Sequence, residues 1–173
     1  KSDSQDALDI YAAIKQATAK SLGTRKKYDI QNAPPQAIRE AMRYAATTEP
    51  KDSIAALWGF GYQSLWDNAV SDLKNYETRA ESWEQAIVNT ALAQLARTPD
   101  SLITRRHGIQ ESLRVSSEAA ALLALPEQDR FSAIEAFDWR LRHPCRINPG
   151  TTADLVAAAL YVHLWNSCFH ELF

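Results

Sequence analysis

The chain has 173 residues, with 19 Lys and Arg against 21 Asp and Glu and a formal net charge of −2, a size that suits one domain with a single core. Its scattered cations form no basic stripe, which argues against a nucleic-acid partner; its longest apolar run, residues 153–165, is broken by His163 and is shorter than the roughly 20 residues a membrane span needs. Cys145 and Cys168 show no paired-ligand spacing and no secretory signal opens the chain, so a reducing cytoplasm is the expected setting.

Apolar residues recur at three and four throughout, the period of helices. Leu8, Tyr11 and Ile14 form a stripe after an acidic, Ser-rich start that suits a helix N-terminus, with Lys20 and Gly23 as the stop. Pro34-Pro35 opens a second helix through Ile38, Met42 and Tyr44, ended near Thr47 and Pro50. Asp52 or Ser53 caps a third, "SIAALWGFGYQSLWDNAVSDL", which carries Gly59 and Gly61 among Trp58, Phe60, Tyr62 and Trp66. Each glycine costs about 1 kcal/mol against Ala inside a helix, so tight helix packing or a ligand has to account for them. A fourth helix runs from about Ser82 to Arg97, with Trp83, Ile87 and Leu95 on one face, and Thr98-Pro99-Asp100 ends it. A short turn or helix, a break near Gly108 and an Ala- and Leu-rich helix follow; Pro126 to His143 is amphipathic through Phe131, Ile134, Phe137 and Leu141. The last helix starts near Thr151 and runs to the end. With no strand-period segment, repeat or long linker, residues 1–173 read as a single all-α domain of about seven helices.

The candidate sites sit where helices begin or break. In Asn148-Pro149-Gly150-Thr151-Thr152, Thr151 stands three residues before Asp154, the acidic form of a capping box. Gly150 permits close backbone approach, and first-turn amides face outward where the dipole favours an anion. The segment is therefore either a cap or a cradle for phosphate, with Asp154 available to magnesium. Arg105-Arg106-His107, the densest cationic cluster, suits phosphate oxygens or is a solvated charge run. Lys26 and Lys27 beside Asp29 read as a solvated turn. Asp6 and Asp9, three apart, can share Mg²⁺ with a substrate phosphate or serve the helix dipole. His163 and His170 lack the rest of a metal set, and no P-loop, HExxH, GxSxG or CxxC pattern occurs.

Four stretches, "INPGTTADLVAAALYV", "PDSLITRRHG", "AIREAMRYAA" and "DALDIYAAIKQA", resemble the C-terminal portion of the triphosphoribosyl-dephospho-CoA synthase family. That family comprises the citrate-lyase prosthetic-group precursor synthases and their archaeal and bacterial relatives; the likeness is strongest to relatives found beside one-carbon pathways that use tetrahydromethanopterin. The Asn-Pro-Gly-Thr-Thr-Ala-Asp-Leu stretch is its most specific part. The resemblance implies an all-helical transferase in which the 2′-hydroxyl of dephospho-CoA attacks C1′ of the ATP ribose and adenine leaves with the triphosphate retained. It further implies that Asn148, Gly150, Thr151 and Thr152, with Arg105, Arg106 and His107, hold phosphates, and that Asp154 and Asp6 hold Mg²⁺ or take the proton. The family's Lys-Pro-Gly stretch is missing from these residues. The expectation is thus the C-terminal part of a longer family domain, acting on small-molecule nucleotides, with a separate chain carrying the missing N-terminal half, or a homo-oligomer, as the partner. The alternative is a non-catalytic helical interaction subunit that docks through Trp58, Trp66 and Trp83, or a nucleotide-binding paralogue.

Overall fold

Helix-period patterning yields helices and no strand among the described residues, 3–17 and 27–169 of the computed structural model. The chain divides into two compact units, Lys1–Gly61 and Tyr62–Phe173.

The first unit holds α1 (Ser4–Ala17), α2 (Ile38–Thr47) and α3 (Ser53–Phe60). Asp3 starts α1: its Oδ1 accepts from the amides of Gln5 and Asp6, while Asp6 Oδ2 accepts from the Asp3 amide at 2.9 Å. The reciprocal pair is a capping box built from two carboxylates. The buried face of α1 is Ala7 and Tyr11, packed with Ile30, Ile38, Ile14 and Met42. Leu8, expected on that stripe, is exposed, because Ala7, Tyr11 and Ile14 follow the i, i+4, i+7 rule more closely. Asp52 caps α3, its Oδ1 accepting from Ile54 and Ala55. Gly59 is a packing glycine: a Cβ there would meet the Arg43 main-chain nitrogen at 3.0 Å, and Arg43 Nε donates to its carbonyl at 2.8 Å. Lys20, Gly23 and Lys26 lie outside the described residues, as does His170, and nothing describes the side chain of Cys168.

The second unit contains a π-helical segment (Leu65–Val70) leading into α4 (Ser71–Glu77), then α5 (Trp83–Arg97), α6 (Ser101–His107), α7 (Ile109–Leu123), α8 (Glu127–Arg142) and α9 (Gly150–Phe169). Helix α5 lies at its centre, packed against α4, α7, α9 and the π-helical segment. Consistent with that place, Asn89, Thr90, Leu92, Ala93, Gln94 and Leu95 are all buried. Helix α7 shows the clean one-sided pattern, burying Ser112, Val115, Ser116, Ala119 and Leu122. Its Val115, Ala119 and Leu122 join Leu92, Leu95, Ile103, Phe137, Leu141 and Ile147 in one cluster.

Nine α-helices therefore appear among the described residues where about seven are expected. Two glycines with positive φ mark helix ends, Gly61 at 110° and Gly108 at 88°. Each ends one helix in a backbone conformation that a side chain disfavours. Gly61 splits the segment read as one third helix, whereas the break expected near Gly108 is present and the short stretch before it, read as a turn or helix, is the helix α6. Phe131 is a further correction: it is 70 % exposed. Steps of three residues each fall 60° short of a full turn, so Phe131 lies about 120° around α8 from Phe137.

Candidate functional site

Asp100, which sequence reading used only as a helix terminator, is the centre of the best-built polar site. It is 2 % exposed and stands immediately before α6. Oδ1 accepts from the amides of Leu102 and Ile103 at 2.8 and 3.1 Å, the standard N-cap bonds. Oδ2 accepts from Thr152 twice, from its amide and its hydroxyl, both at 2.8 Å. One carboxylate thus closes the first turns of two helices, α6 and α9, where both dipoles favour negative charge.

Around it the remaining buried hydroxyls find partners. Ser101 Oγ and Thr151 Oγ1 lie 2.8 Å apart, and Ser112 Oγ donates to the Asp100 carbonyl at 2.9 Å, bringing α7 into the same knot. Every member is buried and bonded, as a low-dielectric network requires. Gly150 belongs to the same packing, since a Cβ there would lie 2.5 Å from Leu102 Cδ2. That contact lets α9 start against α6.

The sequence-predicted residues divide accordingly. Gly150 opens α9, so Thr151 is already inside the helix and is not its cap; its hydroxyl goes to Ser101 instead of the Asp154 amide. Thr151 and Thr152 are each 5 % exposed and face α6. Asn148 and Asp154 are exposed on either side of them. Asp154 has no hydrogen-bond or ion-pair partner among the described residues. Arg105, Arg106 and His107 occupy the last turn of α6, exposed, where cations suit the C-terminal dipole. Beside them Glu111 has its carboxyl lowered below the ordinary range, first by the Arg114 hydrogen bond and also by the charges of Arg114 and His107. Asp6 belongs to the other unit, and its carboxylate is used in the α1 capping box.

Among the described residues no three His, Cys, Asp or Glu side chains gather as a metal set. His163 is a packing histidine: its ring and that of Trp83 form a T-shaped pair with centroids 5.1 Å apart, and Nε2 lies 3.5 Å from Glu77. A local signal for Asp100 existed, since Pro-Asp-Ser before a helical run is an N-cap pattern. Its bond to Thr152, 52 residues away, has no such signal.

The described residues thus define an all-helical protein whose α6 and α9 begin on one shared carboxylate, an architecture apart from the sheet-based nucleotide-binding folds. Family comparison goes further. The family model CitG, ATP:dephospho-CoA triphosphoribosyl transferase, matches residues 1–171, and the chain belongs to that family. No curated protein and no solved structure matches it. No helix among the described residues is long and apolar enough to cross a membrane.

Proposed function

We propose that this chain transfers the triphosphoribosyl group of ATP to the 2′-hydroxyl of 3′-dephospho-CoA, releasing adenine. The observation that carries the reading is the family match along residues 1–171. In the reaction the C1′–N9 bond of ATP breaks and an O–C1′ bond to the acceptor forms. The hydroxyl proton passes to a base, adenine leaves with a proton, and the three phosphates stay on the ribose.

That chemistry calls for a phosphate-binding surface, a carboxylate near the attacking hydroxyl, and stabilisation of an oxocarbenium-like carbon. Arg105, Arg106 and His107 supply cationic donors for phosphate oxygens, with the Asn148 side chain as a neutral partner; the Gly150 amide is already used, donating to the Asn148 carbonyl at 2.9 Å. Asp154, exposed and without a partner among the described residues, is the carboxylate for the proton or for Mg²⁺. The ion would be held chiefly by substrate phosphates, as its preference for few protein carboxylates and several waters allows. Asp6 is spoken for by its cap, so this assignment rests on Asp154. Thr152, bonded to Asp100, holds the segment from beneath.

The test is chromatography of adenine released when the chain is mixed with Mg-ATP and dephospho-CoA, beside a control lacking the acceptor. Acceptor-dependent adenine is expected; none, with the protein folded, would refute the assignment for this chain.

A second reading, a helical docking subunit, draws on large exposed side chains such as Trp58 at 55 % and Trp66 and Trp83 at 44 % each. The two separate by linkage: a transferase melts at higher temperature with Mg-ATP, whereas a docking subunit does so only with its partner.

A further inference from the structure

We infer that Asp100 is the positioning residue of the proposed transferase site, acting through Thr152; the inference rests on the transferase reading. Its carboxylate is bonded to the first turns of both α6 and α9 by four hydrogen bonds of 2.8 to 3.1 Å. The residues proposed to meet substrate ride on those turns. Asp154 follows Thr152 by two positions in α9, and Arg105–His107 close the seven-residue α6 that Asp100 opens. A short helix has little stability of its own, so its direction is set by its cap and its packing. The register between cationic cluster and carboxylate is therefore held at Oδ2 of Asp100. Asp100 itself is too buried to touch a nucleotide.

The Ser101–Thr151 hydroxyl pair provides an internal control, because it joins the same two helices without involving the carboxylate. Replacing both partners by apolar groups of similar shape, Ser101→Ala with Thr151→Val, leaves no orphaned donor. Thr152→Val removes the hydroxyl bond to Asp100 and leaves the amide bond. Thr152→Ser keeps both.

The experiment measures steady-state adenine release for the wild type, Thr152→Val, Thr152→Ser and the Ser101→Ala/Thr151→Val double variant, each with its folded fraction determined by circular dichroism. A purely structural role lowers Vmax in proportion to folded protein and leaves the KM for Mg-ATP alone. A positioning role moves KM, or the rate per folded molecule, because small displacements of aligned groups cost about tenfold or more. The expected result is a change of about tenfold in kcat/KM per folded molecule for Thr152→Val, with Thr152→Ser and the double variant near wild type. Thr152→Val at wild-type kcat/KM per folded molecule, or the double variant falling equally, overturns the inference while leaving the transferase reading intact. A wild type that releases no acceptor-dependent adenine overturns the reading and, with it, this inference.

Discussion

Replacing Asp100 by Ala removes the acceptor for four donors in the second unit. Two are the α6 amides of Leu102 and Ile103, and two belong to Thr152. Loss of an N-cap costs about 0.5–2 kcal/mol. The Thr152 amide and hydroxyl are buried, and each donor left without a partner costs about 1–3 kcal/mol, although the hydroxyl can rotate in search of another acceptor. Relief from burying a carboxylate offsets part of this, so the net loss is about 3 kcal/mol, a large share of a typical domain's stability. Asp100→Asn keeps a carbonyl oxygen for one helix but sets an NH₂ group against donors of the other, so about 1–2 kcal/mol is expected. Urea unfolding followed by tryptophan fluorescence reads this unit well, since Trp66, Trp83, Trp139 and Trp165 all lie in it. The expected order is wild type, Asn, Ala, with m unchanged. An Ala variant within about 0.5 kcal/mol of wild type, the ordinary scatter of surface substitutions, would refute the shared-carboxylate account.

In the first unit, Gly59→Ala gains about 1 kcal/mol of helix propensity, yet its methyl presses on the Arg43 backbone at 3.0–3.1 Å. Overpacking of about 1–3 kcal/mol outweighs the gain, and thermal melting should show a net loss; a stabilised variant would show that α2 can yield. Burial, and secondarily the Asp29 charge, raises the Tyr11 phenol above 10.0, and its hydroxyl donates to the Tyr28 carbonyl at 2.7 Å. A raised folded value means that its stabilisation is complete below the unfolded value of about 10 and is lost as pH climbs through the folded one. Melting of the wild type should fall off above about pH 10 more steeply than that of Tyr11→Phe, and parallel curves would contradict this. Asp154→Asn should leave the nucleotide-free melting temperature unchanged, because the carboxylate is exposed and without a partner among the described residues, while lowering Mg-ATP affinity about tenfold or more in calorimetry. Unaltered affinity removes Asp154 from the metal-binding role.

Helix existence was readable along almost the whole chain because it depends on periodicity, a local property. Helix interruption was less so. The run from Ser53 to Leu73 keeps its apolar content across Gly61, and only the backbone angle there shows that α3 has ended. Amphipathic faces read well where steps of three and four alternate, as in α7, and poorly where threes accumulate, as at Phe131. Asp52 and Ser82 cap their helices through the local bonds that their residue types suggest. The acidic pair Asp6 and Asp9 invited a metal reading, but Asp6 bonds back to Asp3 and Asp9 accepts from Gln5 at 2.8 Å. The dipole alternative was the better physical account of Asp6, and both carboxylates have local work on α1.

The start of α9 shows why spacing alone misassigns a polar segment. Thr151 and Asp154 have capping-box spacing, and Gly150 before them has the look of a cradle. Both readings assume that the first-turn amides and hydroxyls face solvent. They do so at an ordinary helix end, but here Leu102 lies against Gly150, and the following two side chains turn inward to α6. The negative charge that the dipole favours is supplied from within, by a residue 52 positions earlier. A phosphate approaching α9 would thus find the Thr152 amide already bonded to a carboxylate, and like charges would oppose it there. On the proposed reading, anion recognition would fall to groups that the knot leaves on the surface, Arg106, His107 and the Asn148 side chain among them. Buried Thr152 would contribute by fixing where those groups stand, which is the distinction that the Thr152 variants measure.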